Sequence, residues 1–461
     1  MSDLFILISF AVAIGVLVLL IARFKVHPVF VLFAVVAALG LLFRQGGSGT
    51  PEMITEGFGN TMASVGLLIV FGCVLGRALE LSGAALRISE AAERSLGTGK
   101  KIPWGIALAS CVIGVPVIAD TVVIMLIPIV SAMAMRTRES MMKLGPILYL
   151  GAYVMTSLVL PGPGPLAAAG ALEVNLGQAI LFGGLVGLFG VAVGTFYLTR
   201  ITTYVAPKPE FVESIAATAE GGGTATAGQG DRAVGAFTGR PLNLGACLLP
   251  VFLPITLIMI DSVLGPLLAE GTMLAEFIGF VGSPVVALAL GLISTLPLFG
   301  REWATKRVLN DMFEEGLRTA ALPVILTGTG GALALLIRNT EVAERIAAGI
   351  EASGIPPLIV PFLVAAAINT ITGSNILGML TSAAIMAPLV DTLGVSALAV
   401  YLACGTGAQI FKHANSSGFW VTTTLSNMTV GQGIRSIGVA TSLSGISGFL
   451  MVLALYYLGL I

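Results

Sequence analysis

The sequence predicts an all-α polytopic membrane protein, an inverted repeat of two five-span units, each with a re-entrant helical hairpin and a broken helix. Three observations predict it. Hydrophobic residues make up 56% of the 461 positions and charged residues only 10%, against roughly 45–50% and 25% in soluble globular chains. Apolar stretches long enough to cross a bilayer recur from end to end. Two of them, 103–135 and 356–390, are too long for one crossing and too short for two.

Residues 4–22 open the series. They lack a basic leading segment and read as a retained helix rather than a cleaved signal. Further spans are expected at 27–43, 57–80, 144–175 and 177–199, then at 243–266, 282–300, 316–338, 395–431 and 435–460. Residues 103–135 would make a helix of about 50 Å at about 1.5 Å per residue, but Gly114, Pro116 and Pro128 interrupt it. Residues 356–390 repeat this anatomy, with Thr372-Gly373-Ser374-Asn375 and Pro388. A hairpin that descends to mid-membrane, turns at a polar tip and returns fits both.

The basic residues support this. With the 23–27 loop in the cytoplasm and both hairpins returning to the side they entered from, 19 of the 23 Lys and Arg residues fall inside. Arg44, Arg338 and Arg345 fall outside, and Lys412 lies within a span. The halves also repeat. His27-Pro28 matches Ser283-Pro284 at an offset of 256, Glu56-Gly57 matches Glu315-Gly316 at 259, and Pro128 matches Pro388 at 260. The first unit starts outside and the second inside. Inverted repeats with broken helices at corresponding positions are the pattern of secondary transporters. The chain divides into a first repeat at 1–199, a Gly-, Ala- and Thr-rich flexible cytoplasmic linker at 200–242, and a second repeat at 243–461.

Other function classes lack their machinery. Lys plus Arg is 23 and Asp plus Glu 24, with no basic block, which argues against nucleic-acid binding. The four cysteines sit singly in apolar stretches, and no phosphate loop, GxSxG or HExxH is present. No cofactor and no metal centre are expected.

Asp120 is the only charge within 103–135. A carboxylate at bilayer depth costs at least roughly 2.5–3.5 kcal/mol unless neutralised or hydrated. With Thr121 beside it at the expected tip, it is a candidate for the coupling ion, as a proton carrier or as a cap of its own helix. The second hairpin offers Asn369, Thr370, Thr372, Ser374 and Asn375, which could hold substrate hydroxyls, ligate sodium through Ser374 and Asn375, or join helices. In 395–431 the run Lys412-His413-Ala414-Asn415-Ser416-Ser417-Gly418-Phe419-Trp420 is the densest polar segment; its counterpart after the first hairpin is Pro161-Gly162-Pro163-Gly164-Pro165. Both should unwind their helices and free backbone groups at a mid-membrane cavity, where half-helix N-termini favour an anion. Candidate substrate-binding residues are thus Thr372, Ser374, Asn375, His413, Asn415, Ser416, Ser417, Pro161, Gly162 and Gly164. Lys412 either adds positive charge there or snorkels to the interface.

These residues resemble the gluconate permease (gluconate:proton symporter) family of bacterial inner-membrane transporters, within the ion-transporter superfamily. The likeness runs over nearly the whole chain outside the linker. It is closest at Gly57-Phe58-Gly59, at Phe71 to Gly76 through Ser82-Gly83-Ala84, at Pro161 to Pro165, and at Asn415 to Trp420. The resemblance implies proton-coupled uptake of a small organic anion, a gluconate-like sugar acid or another hydroxy- or monocarboxylate, by a multi-pass inner-membrane protein embedded in lipid. It keeps Asp120, but Gly162 stands where the family has a histidine, a second family histidine falls near Thr156 or Ser157, and Ser416 replaces a family aspartate. Sodium coupling is the alternative, and a passive channel is a further reading. The polarity clusters at one depth rather than lining a pore, and no spacing suggests an enzyme. A homo-oligomer is compatible with the composition.

Overall fold

The structure, a computed structural model, describes residues 26–42, 49–84, 102–115, 117–208, 242–268, 271–338, 356–414 and 416–461, with a few isolated positions between them. Most of the expected span 4–22, Pro116, linker residues 209–241, Arg345 and Asn415 lie outside the described residues.

The described backbone is helical, with no strand among the described residues. Helix α1 (Pro28–Leu42) is followed by α2 (Gly49–Leu81), which starts well before the expected residue 57 and bends by 50° between Ser64 and Gly66. Residues 103–135 form two helices, α3 (Ile102–Gly114) and α4 (Ala119–Thr137). Then come α5 (Met141–Leu158) and α6 (Pro163–Ala171), one span broken at 159–162, and α7 (Leu176–Thr199).

The second half follows the same order. Helix α8 (Leu244–Leu264) precedes a short helix that the hydropathy reading did not separate, α9 (Met273–Gly282), with Phe277 and Phe280 exposed. Helix α10 (Pro284–Ile293) begins, like α1, at a proline and continues into a 3-10 segment, Leu296–Glu302. Next are α11 (Met312–Arg338) and the paired α12 (Ile359–Thr372) and α13 (Asn375–Met386). A second broken span, α14 (Ala397–Gly407) and α15 (Ser417–Leu425), is separated by 408–416, and α16 (Val439–Tyr457) closes the chain.

Helices α3, α12 and α13 have 13, 14 and 12 residues. At about 1.5 Å per residue they reach about 20 Å, short of a hydrocarbon core of about 30 Å. By contrast, five helical segments among the described residues are long and apolar enough to cross, and bent α2 adds a sixth. Exposed Leu181, Leu185, Leu188, Phe196, Leu249 and Phe252 on α7 and α8 give an apolar surface that only lipid or another protein can cover.

Two antiparallel crossings join the halves, and both are built on glycine. Where α2 meets α11, a Cβ on Gly57 would lie 2.7 Å from the Ala332 Cα, and one on Gly316 2.7 Å from the Val74 Cα. Where α7 meets α16, Gly190 abuts Ser444 and Gly448 abuts Val186. In each case the second contact is the first shifted by 258 or 259 positions. Small residues let helix backbones approach closely where lipid offers no hydrophobic driving force.

Candidate functional site

Helix α5 is the axis of the site. All its residues except Lys143 are buried. Its start is pinned by Ser140, whose hydroxyl donates to the Thr203 carbonyl at 2.9 Å and accepts from the amides of Met142 and Val205. Its C-terminal half carries Tyr149 and Tyr153, four residues apart on one face, with rings stacked at 5.2 Å. Its last turn reaches both interrupted segments, 103–135 and 356–390. The Thr156 hydroxyl proton is shared between the Ala152 carbonyl of its own helix at 2.8 Å and the Gly114 carbonyl at 3.0 Å, and Asn375 Nδ2 donates to Ser157 Oγ at 2.8 Å. The positions that the resemblance gives to a family histidine are thus the ones that tie Gly114 at the end of α3 and Asn375 at the start of α13 to α5.

Asp120 occupies the first turn of α4 but does not cap it. The cap position is Ile118, which has no side-chain bond to the helix. The carboxylate turns instead to the N-terminus of α15, where it accepts from the Ser417 hydroxyl. A Cβ on Gly418 would stand 2.5 Å from Asp120 Oδ1 and 2.7 Å from the Tyr149 hydroxyl, so glycine is what admits both groups. Ser416 is buried at the cap of α15, with its side chain against the Tyr149 hydroxyl. Thr121 is half-buried beside Asp120.

The second hairpin turns at Gly373, whose φ of +74° is a left-handed conformation that glycine adopts without strain. The Ser374 hydroxyl caps α13 by accepting from the Leu377 amide at 3.3 Å. Thr372 bonds back to the Ile368 carbonyl. His413 Nε2 lies 2.8 Å from the Thr370 carbonyl, so His413 serves this hairpin rather than Asp120. Lys412 does not snorkel. It is 3% exposed, its Nζ donates to the Gly373 carbonyl, and it sits 4.8 Å from the centre of the Tyr153 ring. It is also near enough for the Asp120 charge to act on it.

The unwound 159–162 segment holds Pro161 and Gly162 buried, with Gly162 at the cap of α6. Gly164 packs against Ile376, in the first turn of α13. Pro161 and Pro163 line a cleft with Val117 and Ile118 of the first hairpin and with Gly72, Arg77 and Glu80 of α2. The helix N-termini therefore meet in pairs, α4 with α15 and α6 with α13. Each N-terminus carries about half a positive charge, so the arrangement can hold an anion.

Sequence reasoning selected most of these residues but placed no weight on Tyr149 and Tyr153, and left Lys412 between two fates. The available signal was the i, i+4 spacing of two tyrosines in an otherwise apolar span.

A family model described as GntP family permease matches residues 5–458. The gluconate permease of Pseudomonas aeruginosa is 29% identical over 459 residues, 98% of each chain. The Gnt-II system L-idonate transporter of Escherichia coli is 25% identical over 465 residues, 97% of this chain and 98% of that one. Among solved structures, the YdaH transporter of Alcanivorax borkumensis superposes with a TM-score of 0.60 at 16% identity, covering 94% of this chain and 97% of that one.

Proposed function

The chain belongs to the GntP family of permeases and is a multi-pass membrane transporter rather than an enzyme; from that premise we propose that it imports a sugar acid or a smaller hydroxy- or monocarboxylate across the bacterial inner membrane by proton symport. The observation that carries this reading is the paired meeting of half-helix N-termini around α5. Two pairs of positive dipole ends lie against one buried helix inside an otherwise apolar protein, an arrangement that favours a carboxylate without a dedicated ion pair. Gluconate and idonate, named for the two relatives above, belong to this substrate class.

Asp120 is the proton carrier in this reading. It is the acidic side chain at those N-termini, and Ser417 holds it there. Ser374, Asn375, Ser416 and Ser417 supply the donors for the substrate, with Asn415 completing the run. The two halves, 1–199 and 243–461, work as an inverted repeat joined by the 200–242 linker. The antiparallel and reciprocal contacts of α2 with α11 and of α7 with α16 support this, because equivalent helices packed antiparallel are related by an axis lying in the membrane plane. Alternating access then follows from rocking the hairpins against the α2–α11 crossing.

Uptake of labelled gluconate, idonate and shorter hydroxy acids into proteoliposomes tests the reading. Accumulation of at least one of them, driven by an inward proton gradient and abolished by a protonophore, is expected. Failure to transport any organic anion overturns it.

A further inference from the structure

Lys412 is the one buried cation in the site, and the reading above gives it no task. Its ammonium is held by the Gly373 carbonyl at the C-terminus of α12 and by the face of Tyr153. Among the described residues no carboxylate lies within ion-pair distance of it. The C-terminal end of a helix presents unpaired carbonyls with partial negative charge. The face of a tyrosine adds a second attraction for a cation. Together they form a cation position at the hairpin tip, next to Ser374 and Asn375.

Resting on the reading of that tip as part of the transport site, we propose that the Lys412 ammonium is a tethered cation that occupies this position and closes it to sodium. Beside it the Ser374 oxygen accepts from the Leu377 amide and the Asn375 side-chain amide donates to Ser157, bonds that leave each side chain a further proton to donate to an anion. A second unit charge about 4 Å away, at an effective dielectric near 20, would be disfavoured by about a thousandfold. The second hairpin therefore carries a cationic group tethered to its own chain at this position, whereas a sodium-coupled hairpin would load a free cation there in each cycle.

The test uses the purified full-length protein without substrate, so its outcome is readable even if the transport reading fails. Tm is measured in sodium chloride and in choline chloride at matched ionic strength. The wild type should melt at the same temperature in both. Lys412→Ala should gain a sodium-dependent or methylammonium-dependent rise in Tm, because a ligand that binds only the folded state raises its stability. Lys412→Met, which fills the space without charge, should respond to neither cation. A sodium-dependent rise in the wild type, or a Lys412→Ala protein indifferent to both cations, overturns the proposal. If the alanine variant does not fold, the wild-type comparison and a sodium-indifferent Lys412→Arg protein decide it.

Discussion

The Tyr153 hydroxyl donates to the Ala408 carbonyl at 2.8 Å, and Tyr401 returns the contact by donating to the Leu158 carbonyl at the same distance. Both carbonyls lie where a helix unwinds, at the ends of α5 and α14. Unwinding inside an apolar protein frees backbone groups that water cannot reach. Each broken helix is thus closed by a tyrosine from the other, and the two breaks depend on each other.

Removing either hydroxyl leaves a buried carbonyl unpaired, which costs roughly 1–3 kcal/mol. Tyr153→Phe and Tyr401→Phe should each lower Tm in detergent. Tyr401→Phe should leave the substrate KM unchanged, because the Tyr401 hydroxyl donates to the Leu158 backbone and not to a proposed substrate-binding side chain. A Tyr401→Phe protein with wild-type Tm would mean that another group closes the α5 break.

The α2–α11 crossing carries two kinds of contact, and magnitudes rank them. Arg77 donates to Glu315 at 2.6 Å and to Glu80 at 2.7 Å, but Arg77 and Glu315 are 31% and 49% exposed. Ion pairs of that exposure contribute roughly 0–1 kcal/mol. Gly57 and Gly316 sit against backbone that cannot yield. Glu315→Gln should change Tm little, whereas Gly57→Leu or Gly316→Leu should abolish folded expression. The opposite order would make the crossing electrostatic.

Much of this architecture was legible in the sequence, for a physical reason. Composition and hydropathy report on transfer to lipid, which is a property of single segments. The Gly114 and Thr372 to Asn375 interruptions therefore marked both turns, and the Glu-Gly pairs at 56–57 and 315–316 marked the two ends of one crossing. Direction and partnership were not legible. Nothing in hydropathy says that Asp120 turns away from its own helix to Ser417, 297 positions away. Nor does it say that Lys412 points inward to Gly373. Helix limits were also blurred, since polar Glu52, Glu56 and Asn60 hid the first turns of α2.

The topology has a direct check. Ser140 and Met141 bond to Thr203 and Val205, and Tyr197 donates to the Arg435 carbonyl at 2.7 Å. These contacts put the 137–142 loop, the start of the linker and the entry to α16 on one face, which the basic-residue distribution predicts to be cytoplasmic. The native cysteines Cys73, Cys111, Cys247 and Cys404 are all buried, so background labelling should be low. Cysteines introduced at Arg138 and at linker position Gly222 should react with an impermeant maleimide only from the cytoplasmic side. External labelling at position 138 would remove the first hairpin and the repeat with it.

The last prediction concerns coupling. A proton carrier must change charge in each cycle, loading on one side and releasing on the other. Asp120 sits half-buried at the N-terminus of α15, where it accepts from the Ser417 hydroxyl. Asp120→Asn keeps the size and can still accept from Ser417, but it cannot change charge. It should lose accumulation driven by a pH gradient while retaining counterflow of labelled substrate, since exchange needs no net proton movement. Gly418→Ala is the complementary variant. Its Cβ would fall within 2.5 Å of Asp120 Oδ1, forcing the carboxylate off Ser417 with its charge intact. It should impair accumulation and exchange together, because it displaces the group instead of neutralising it. If both variants lost only accumulation, Asp120 would act through its charge alone and its contact with α15 would be dispensable. Retained pH-driven accumulation in Asp120→Asn would remove the residue from the coupling path.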